Sequence, residues 1–215
     1  MANTIWPLFD LRVTTPRLEL RYIDDALAFE LADLAAQGIH DPAVMPFGIA
    51  WTDAEPEQLR HNVVQYYWRT RGDLTAAAWD LNLAAIVNDE VVGVAGIHTA
   101  DFAIRRLFTT GSWLGRAHQG KGYGKELRQA ALHLGFAGFG AVAAKTGAFS
   151  DNPASLGVTR SLGYQPDGID IRVRRGLAAS IEHFRLDRAD WEARLRRDDI
   201  TITGLEPCLP LLGLA

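Results

Sequence analysis

From Thr15 to Ile23 the apolar residues Leu18, Leu20 and Tyr22 alternate with the charged Arg17, Glu19 and Arg21. That period of two predicts a half-buried strand. Asp24 and Asp25 then open a helical pattern with Leu27, Leu31, Leu34 and Ala35 on one face, closed by Gly38. A second helix is predicted from Thr52, which has Glu55 three residues on in capping-box spacing; its stripe is Leu59, Val63 and Tyr66. The middle of the chain reads as three strands, Trp79 to Val87, Glu90 to His98 and Leu107 to Leu114, with Asn88-Asp89 as a hairpin turn. A glycine-rich turn leads into a helix from about Gly122 to Ala137. A strand near Val142 to Phe149 reaches Asn152-Pro153, a cap followed by a favoured first helical residue. That short helix ends at Gly163, and two last strands, Ile169 to Arg175 and Ser180 to Leu186, flank Gly176. The order is that of one mixed α/β or α+β domain around a central sheet. Residues 1–14 read as an N-terminal extension, 15–190 as the domain, and 191–215 as an appendage whose apolar run at Leu209 to Leu212 suggests self-association, as in a homodimer.

Composition narrows the class. With 215 residues, 48% hydrophobic and 22% charged, the chain is of globular type and long enough to bury about 70% of its extended surface. A net charge of −4 argues against a nucleic-acid partner bound by phosphate neutralisation. Cys208 is the single cysteine, which leaves no disulfide framework, and the six histidines have no metal-ligand spacing, so no metal is expected. No apolar run of membrane-spanning length occurs, and Met1 to Pro7 has no basic-then-apolar export pattern. A cytoplasmic protein is the expectation.

The chemistry concentrates in Trp113-Leu114-Gly115-Arg116-Ala117-His118-Gln119-Gly120-Lys121-Gly122-Tyr123-Gly124-Lys125-Glu126, where a strand runs through alternating glycines into a helix. Glycines allow close backbone approach, and a helix start offers free amides and a positive dipole end, so the segment suits a phosphate. It is not a Walker A loop, because position 122 is Gly rather than Ser or Thr. Nor is it a dinucleotide fingerprint, because its glycines are spaced Gly-x-Gly-x-Gly.

Gln119-Gly120-Lys121-Gly122-Tyr123-Gly124 instead resembles the Arg/Gln-x-x-Gly-x-Gly/Ala signature of the GCN5-related N-acetyltransferase (GNAT) superfamily. Asn152-Pro153-Ala154-Ser155 with Ser161-Leu162-Gly163-Tyr164 resembles a downstream segment of that family, and Thr15-Pro16-Arg17-Leu18-Glu19-Leu20-Arg21 resembles the opening of its RimJ/RimL-like branch. The start Trp6-Pro7-Leu8-Phe9-Asp10-Leu11 and the extended tail are similar to an actinobacterial succinyltransferase subgroup. The resemblance implies a mostly antiparallel mixed sheet splayed between two strands, near Trp113 and Ala148. It also implies transfer of an acyl group, acetyl by default with succinyl as the variant, from acetyl-CoA or another acyl-CoA to an amine, by direct attack on the thioester. In that frame Trp113 and Leu114 pair with the pantetheine of coenzyme A. Gln119, Gly120, Lys121, Gly122, Tyr123, Gly124 and Lys125 form the diphosphate loop, Asn152 holds an amide, and Ser155 lies near the sulfur as a general acid.

The sequence departs from that family in one place. Leu107 to Leu114 carries no carboxylate or imidazole to serve as base. His98 and Asp101 after the preceding strand are the base candidates, with His40 and Asp41 in the loop between the first helices. Arg105 or Arg106 is the candidate cation for a succinyl carboxylate. Each of these residues also has a plain structural reading, Asn152 as a helix cap above all. The acceptor, a protein N-terminus or a small amine, is not written in the residues. The absent carboxylate also fits a non-catalytic acyl-CoA-binding module.

Overall fold

A computed structural model describes residues 3–214. Its strands are β1 (Arg12–Thr14), β2 (Glu19–Tyr22), β3 (Ala78–Val87), β4 (Glu90–Ala100), β5 (Leu107–Leu114), β6 (Ala143–Phe149), β7 (Gln165–Arg174), β8 (Leu177–Asp187) and β9 (Thr201–Thr203). They form one sheet in the order β7-β8-β6-β5-β4-β3-β2-β1-β9. Only β5 and β6 run parallel; every other described pair is antiparallel. The helices are α1 (Asp25–Ala36), α2 (Pro56–Gly72), α3 (Phe102–Arg105), α4 (Tyr123–His133), α5 (Pro153–Ser161) and α6 (Arg188–Arg194).

Two apolar layers cover the sheet. Leu81, Leu83, Ile97 and Phe108 meet Leu127 and Phe136 on the α4 side, while Ala84, Ile86 and Val94 meet Leu31, Leu59, Val63 and Tyr67 of α1 and α2 on the other. Alternation along β3 and β4 assigns neighbouring residues to opposite layers. Asp24 caps α1 by accepting from the Leu27 amide at 2.9 Å, and Asn88 and Asp89 take positive φ in the β3–β4 hairpin, as a primed turn requires.

Three expectations are corrected. The first expected strand is shorter, β2 alone, and β1 precedes it and turns back at Pro16 so that Val13 faces Leu20. The second helix starts at Pro56, not Thr52: the proline's fixed φ suits the first helical position, and the Thr52 hydroxyl bonds His40 Nε2 at 2.7 Å instead. The tail does not present its apolar residues to a partner. β9 pairs with β1, Cys208 and Leu212 are fully buried, and the Trp79 indole donates to the Leu212 carbonyl. The segments set apart at 1–14 and 191–215 thus extend the same sheet and the same core. No helix among the described residues is long and apolar enough to cross a membrane.

Burial, with Asp10 nearby, pushes the Cys208 thiol up to about 11. We expect no reaction with a thiol reagent at pH 8 in the native protein and one equivalent after denaturation, because only the thiolate attacks. Full reaction of the native protein would contradict this packing.

Candidate active site

The site begins where two strands part. Parallel pairing of β5 with β6 lasts from Leu107↔Ala143 to Thr109↔Lys145. One side-chain bridge follows, the Thr146 hydroxyl donating to the Thr110 carbonyl at 3.0 Å. Beyond it Gly111 to Leu114 pair only with β4, and Gly147 to Phe149 only with β8. The result is a wedge whose β5 wall has an unpaired edge, one that an extended ligand can use as a ladder partner.

At the wedge mouth, residues 116–118 form a single tight turn and Gln119 is extended. Gly120 and Gly122 then take φ of 73° and 84°, left-handed values that strain other residues. Gly122 begins α4 without a side-chain cap, so the first amides of the helix point at the mouth unsatisfied. Lys121 and Lys125 are exposed beside them. Gly124 packs between the walls: a methyl there would lie 3.6 Å from Leu114 and 3.9 Å from Val158 of α5.

Distant residues hold this loop. The Arg17 guanidinium donates to the Lys121 carbonyl at 2.7 Å, lies 4.8 Å above the Tyr123 ring and sits 3.5 Å from the Glu126 carboxylate. Glu126 is buried and also accepts from the Thr15 hydroxyl at 2.7 Å. The Gln119 side chain donates to the Ile39 and Leu114 carbonyls, tying the end of β5 to the chain after α1. Its amide group therefore acts within the protein, and only its backbone fronts the mouth. His118 is buried against Gly115 and within 3.6 Å of Glu90, not at the surface.

On the opposite lip Asn152 caps α5 by accepting from the Ser155 amide at 3.1 Å. Among the described residues its side-chain NH₂ and the Ser155 hydroxyl have no protein partner. Tyr164 lies in the core with its hydroxyl 3.3 Å from that of Thr110, and burial pushes its pKa up.

The base candidates separate. His98 faces the α2 side of the sheet, opposite Thr109, with Nδ1 2.7 Å from the Asp80 carboxylate. A carboxylate accepts, so Nδ1 is the donor in this pair, and Nε2 stands outside it. The ring needs a glycine at 96, where a methyl would come within 2.8 Å of Nε2, while one on Gly111 would touch it at 3.6 Å, an ordinary contact. The imidazole therefore lies across β4 and β5 where the wedge opens. Asn82 and Tyr66 stand beside Asp80, and burial together with that carboxylate raises the Tyr66 pKa. Asp101 sits on an exposed left-handed turn after β4, where its carbonyl starts α3. His40 uses both ring nitrogens within its own loop, on the Asp41 carbonyl and on Thr52.

One residue was not anticipated. Arg128 of α4 is 4% exposed, donates to Thr146 at 3.0 Å and to Ser112 at 3.2 Å across the wedge, and leaves Nε without a partner. No carboxylate pairs with it among the described ion pairs. Arg105 and Arg106 flank the other end of β5 and are exposed. The readable signal was a charged residue four after Gly124 and three before Ala131, on a packed helix face. An open concavity of about 490 Å³, lined by Trp6, Trp68, Arg71, Gly72 and Leu74, shares no residue with the wedge.

Residues 17–165 match the family model for the acetyltransferase (GNAT) domain. The chain belongs to that family. Solved structures agree on the fold. The ribosomal L7/L12 α-N-protein acetyltransferase RimL, in complex with coenzyme A, is 20% identical with TM-score 0.61, covering 80% of this chain and 95% of that one. A ribosomal-protein-S5-alanine acetyltransferase from Vibrio fischeri gives 15%, 0.65, 84% and 98%, and a Vibrio cholerae spermidine N-acetyltransferase chimera gives 15%, 0.66, 83% and 99%. This GNAT chain is accordingly an acyltransferase enzyme.

The His98 hydrogen bond holds the Asp80 carboxyl below the usual carboxylate range. A depressed pKa adds stability that is present above the ordinary value and fades as pH falls through the folded one. The stability gap between the GNAT chain and its Asp80→Asn variant should therefore be widest near pH 6 and narrow by pH 3, as read by urea denaturation. A gap independent of pH would refute the pairing.

Proposed function

We propose that this enzyme transfers an acyl group, acetyl by default, from acyl-CoA to a primary amine, with no acyl-enzyme intermediate. The observation that carries the reading is the unpaired edge of β5 running up to the uncapped start of α4. A thioester's pantetheine and diphosphate need those two features side by side. The amides from Gly120 to Lys125 would hold the diphosphate, and the open-edge backbone of β5 around Ser112 and Leu114 the pantetheine. The Asn152 NH₂ would take an amide oxygen, and the Ser155 hydroxyl would donate to the departing thiolate. Most of the rate gain is then positioning together with polarisation of the carbonyl.

His98 would take the amine proton at Nε2, the developing imidazolium being stabilised by Asp80. It would supply from β4 the base that β5 lacks. The amine would approach from the α1–α2 side. There Phe47 and Trp51 of the intervening loop stack toward Trp113, with ring centroids 5.2 and 6.0 Å apart, and give that side an aromatic wall. Such a wall accepts an alkylamine or a peptide N-terminus.

A donor ending in a carboxylate, as succinyl-CoA does, is favoured by one observation. Arg128 is a buried cation beside the wedge whose Nε has no partner, and a buried charge is costly unless paired. Free-thiol release from acetyl-CoA and succinyl-CoA with a panel of amines tests both readings. His98→Ala should lower kcat/KM by about 10²–10⁴-fold and flatten the acidic limb of its pH profile. Arg128→Met should reduce turnover with succinyl-CoA more than with acetyl-CoA by about tenfold or more. The absence of thiol release with every amine would overturn the proposal, and equal losses on both donors would remove the succinyl reading.

A further inference from the structure

β7 is the outermost strand of the sheet on its side, and every residue from Gln165 to Val173 is exposed. Open strand edges are ordinarily blunted by prolines, bulges or charges. In β7 that protection stops early. Pro166 and a register irregularity occupy its beginning, while Ile169, Ile171 and Val173 follow as a clean apolar row, 72%, 63% and 75% exposed. The Ile171 amide is not used by β8; it donates to the Asp170 carboxylate at 2.9 Å. Amides of alternate residues point to the same neighbour in an antiparallel ladder, so those of Ile169, Ile171 and Val173 all face the open edge.

We propose that this edge pairs with the same edge of a second copy, antiparallel, about a twofold axis through Ile171. That register sets Asp170 opposite the partner's Arg172, and Arg172 opposite the partner's Asp170. On the other face it sets Ile169 against the partner's Val173. Moving the axis to residue 170 brings two aspartates face to face, and moving it to 172 brings two arginines face to face. A half-residue shift sets isoleucine against arginine. Only the Ile171 register is complementary in charge and in apolar matching, and it makes Ile171 a hydrogen-bonded pair with its mate. In the single chain Asp170 already binds Arg172, at 3.1 Å, so pairing exchanges two exposed contacts, one within each strand, for two between strands. In the tail Cys208 and Leu212 lie in the core, and Leu205, Leu209, Leu211 and Leu214 pack half-buried against it.

Sedimentation velocity on the full chain from about 5 to 500 µM reads the result. An edge this short is a small interface, so a dimer with Kd on the order of 10 µM is expected. Asp170→Arg and Arg172→Asp should each weaken it about tenfold or more, because like charges then oppose each other twice. The double variant D170R/R172D, which exchanges the charges and keeps their complementarity, should restore dimerisation to within about threefold of the parent. Circular dichroism confirms that all three variants remain folded. A parent that stays monomeric up to 500 µM, single reversals that leave the dimer intact, or a double variant that fails to recover would each overturn the proposal.

Discussion

The structure turns on one unsatisfied pairing. A parallel strand pair ordinarily continues as long as both strands do, because each buried backbone group needs a partner. Here β5 and β6 stop after three residue pairs. Each keeps its other neighbour to the end: β4 follows β5 to Leu114, and β8 follows β6 to Phe149. The antiparallel flanks thus pull two halves of the sheet apart while the Thr146–Thr110 bridge fixes where they separate. An edge created in this way lies inside the molecule but remains unpaired, which suits an extended ligand and nothing in the chain itself.

Keeping the wedge open and its mouth ordered requires fasteners from far along the chain. Arg17 and Thr15 reach Lys121 and Glu126, and Gln119 joins Ile39 to Leu114. At the other lip, the tip of the β7–β8 hairpin is bound to the α1–α2 loop. Arg175 reaches the Asp53 carboxylate and the Pro42 carbonyl, while Arg174 spans Asp151 and the Met45 carbonyl over the Phe149 ring. Asp53 and Asp151 are held below their ordinary pKa by these guanidinium groups. Exposed ion pairs contribute little stability singly. Their value here is geometric, since bidentate pairs with added carbonyl contacts fix the angle of a hairpin.

What could be read from the residues divides along the same line. β5 was legible to the residue, as were the β3–β4 turn, the caps at Asp24 and Asn152, and the glycine loop, because each is written in local spacing. The long-range fasteners were not. Arg172, Arg174 and Arg175 stand together in the sequence, yet only Arg172 stays with its own strand. Thr15 and Arg17 belong to a motif whose physical meaning, a clamp on Glu126, appears only once β2 lies beside α4. Arg128 was hidden because a helix face averages its neighbours, and a single arginine within it reads as a solvated residue. Asn152 shows the two levels together, for its oxygen caps the helix as local rules require, and that bond is what turns its NH₂ outward.

The sheet also sorts the candidate site residues by side. α4, α5 and Arg128 lie on one face of the wedge, while His98, Asp80 and the aromatic loop lie on the other. Residues two apart along a strand share a face, so a group that approaches the α2 side of the opening meets residues 109, 111 and 113 of β5 and 96 and 98 of β4. Of these, Gly96 and Gly111 have no side chain, and Trp113 is packed against Trp51. The space above the two glycines is filled by the His98 ring. A histidine on β4 therefore reaches over the opening without a change in sheet geometry. It needs only that β4 give up the side chain beneath the imidazole, at Gly96, which pairs with Gly111 across the ladder at that point.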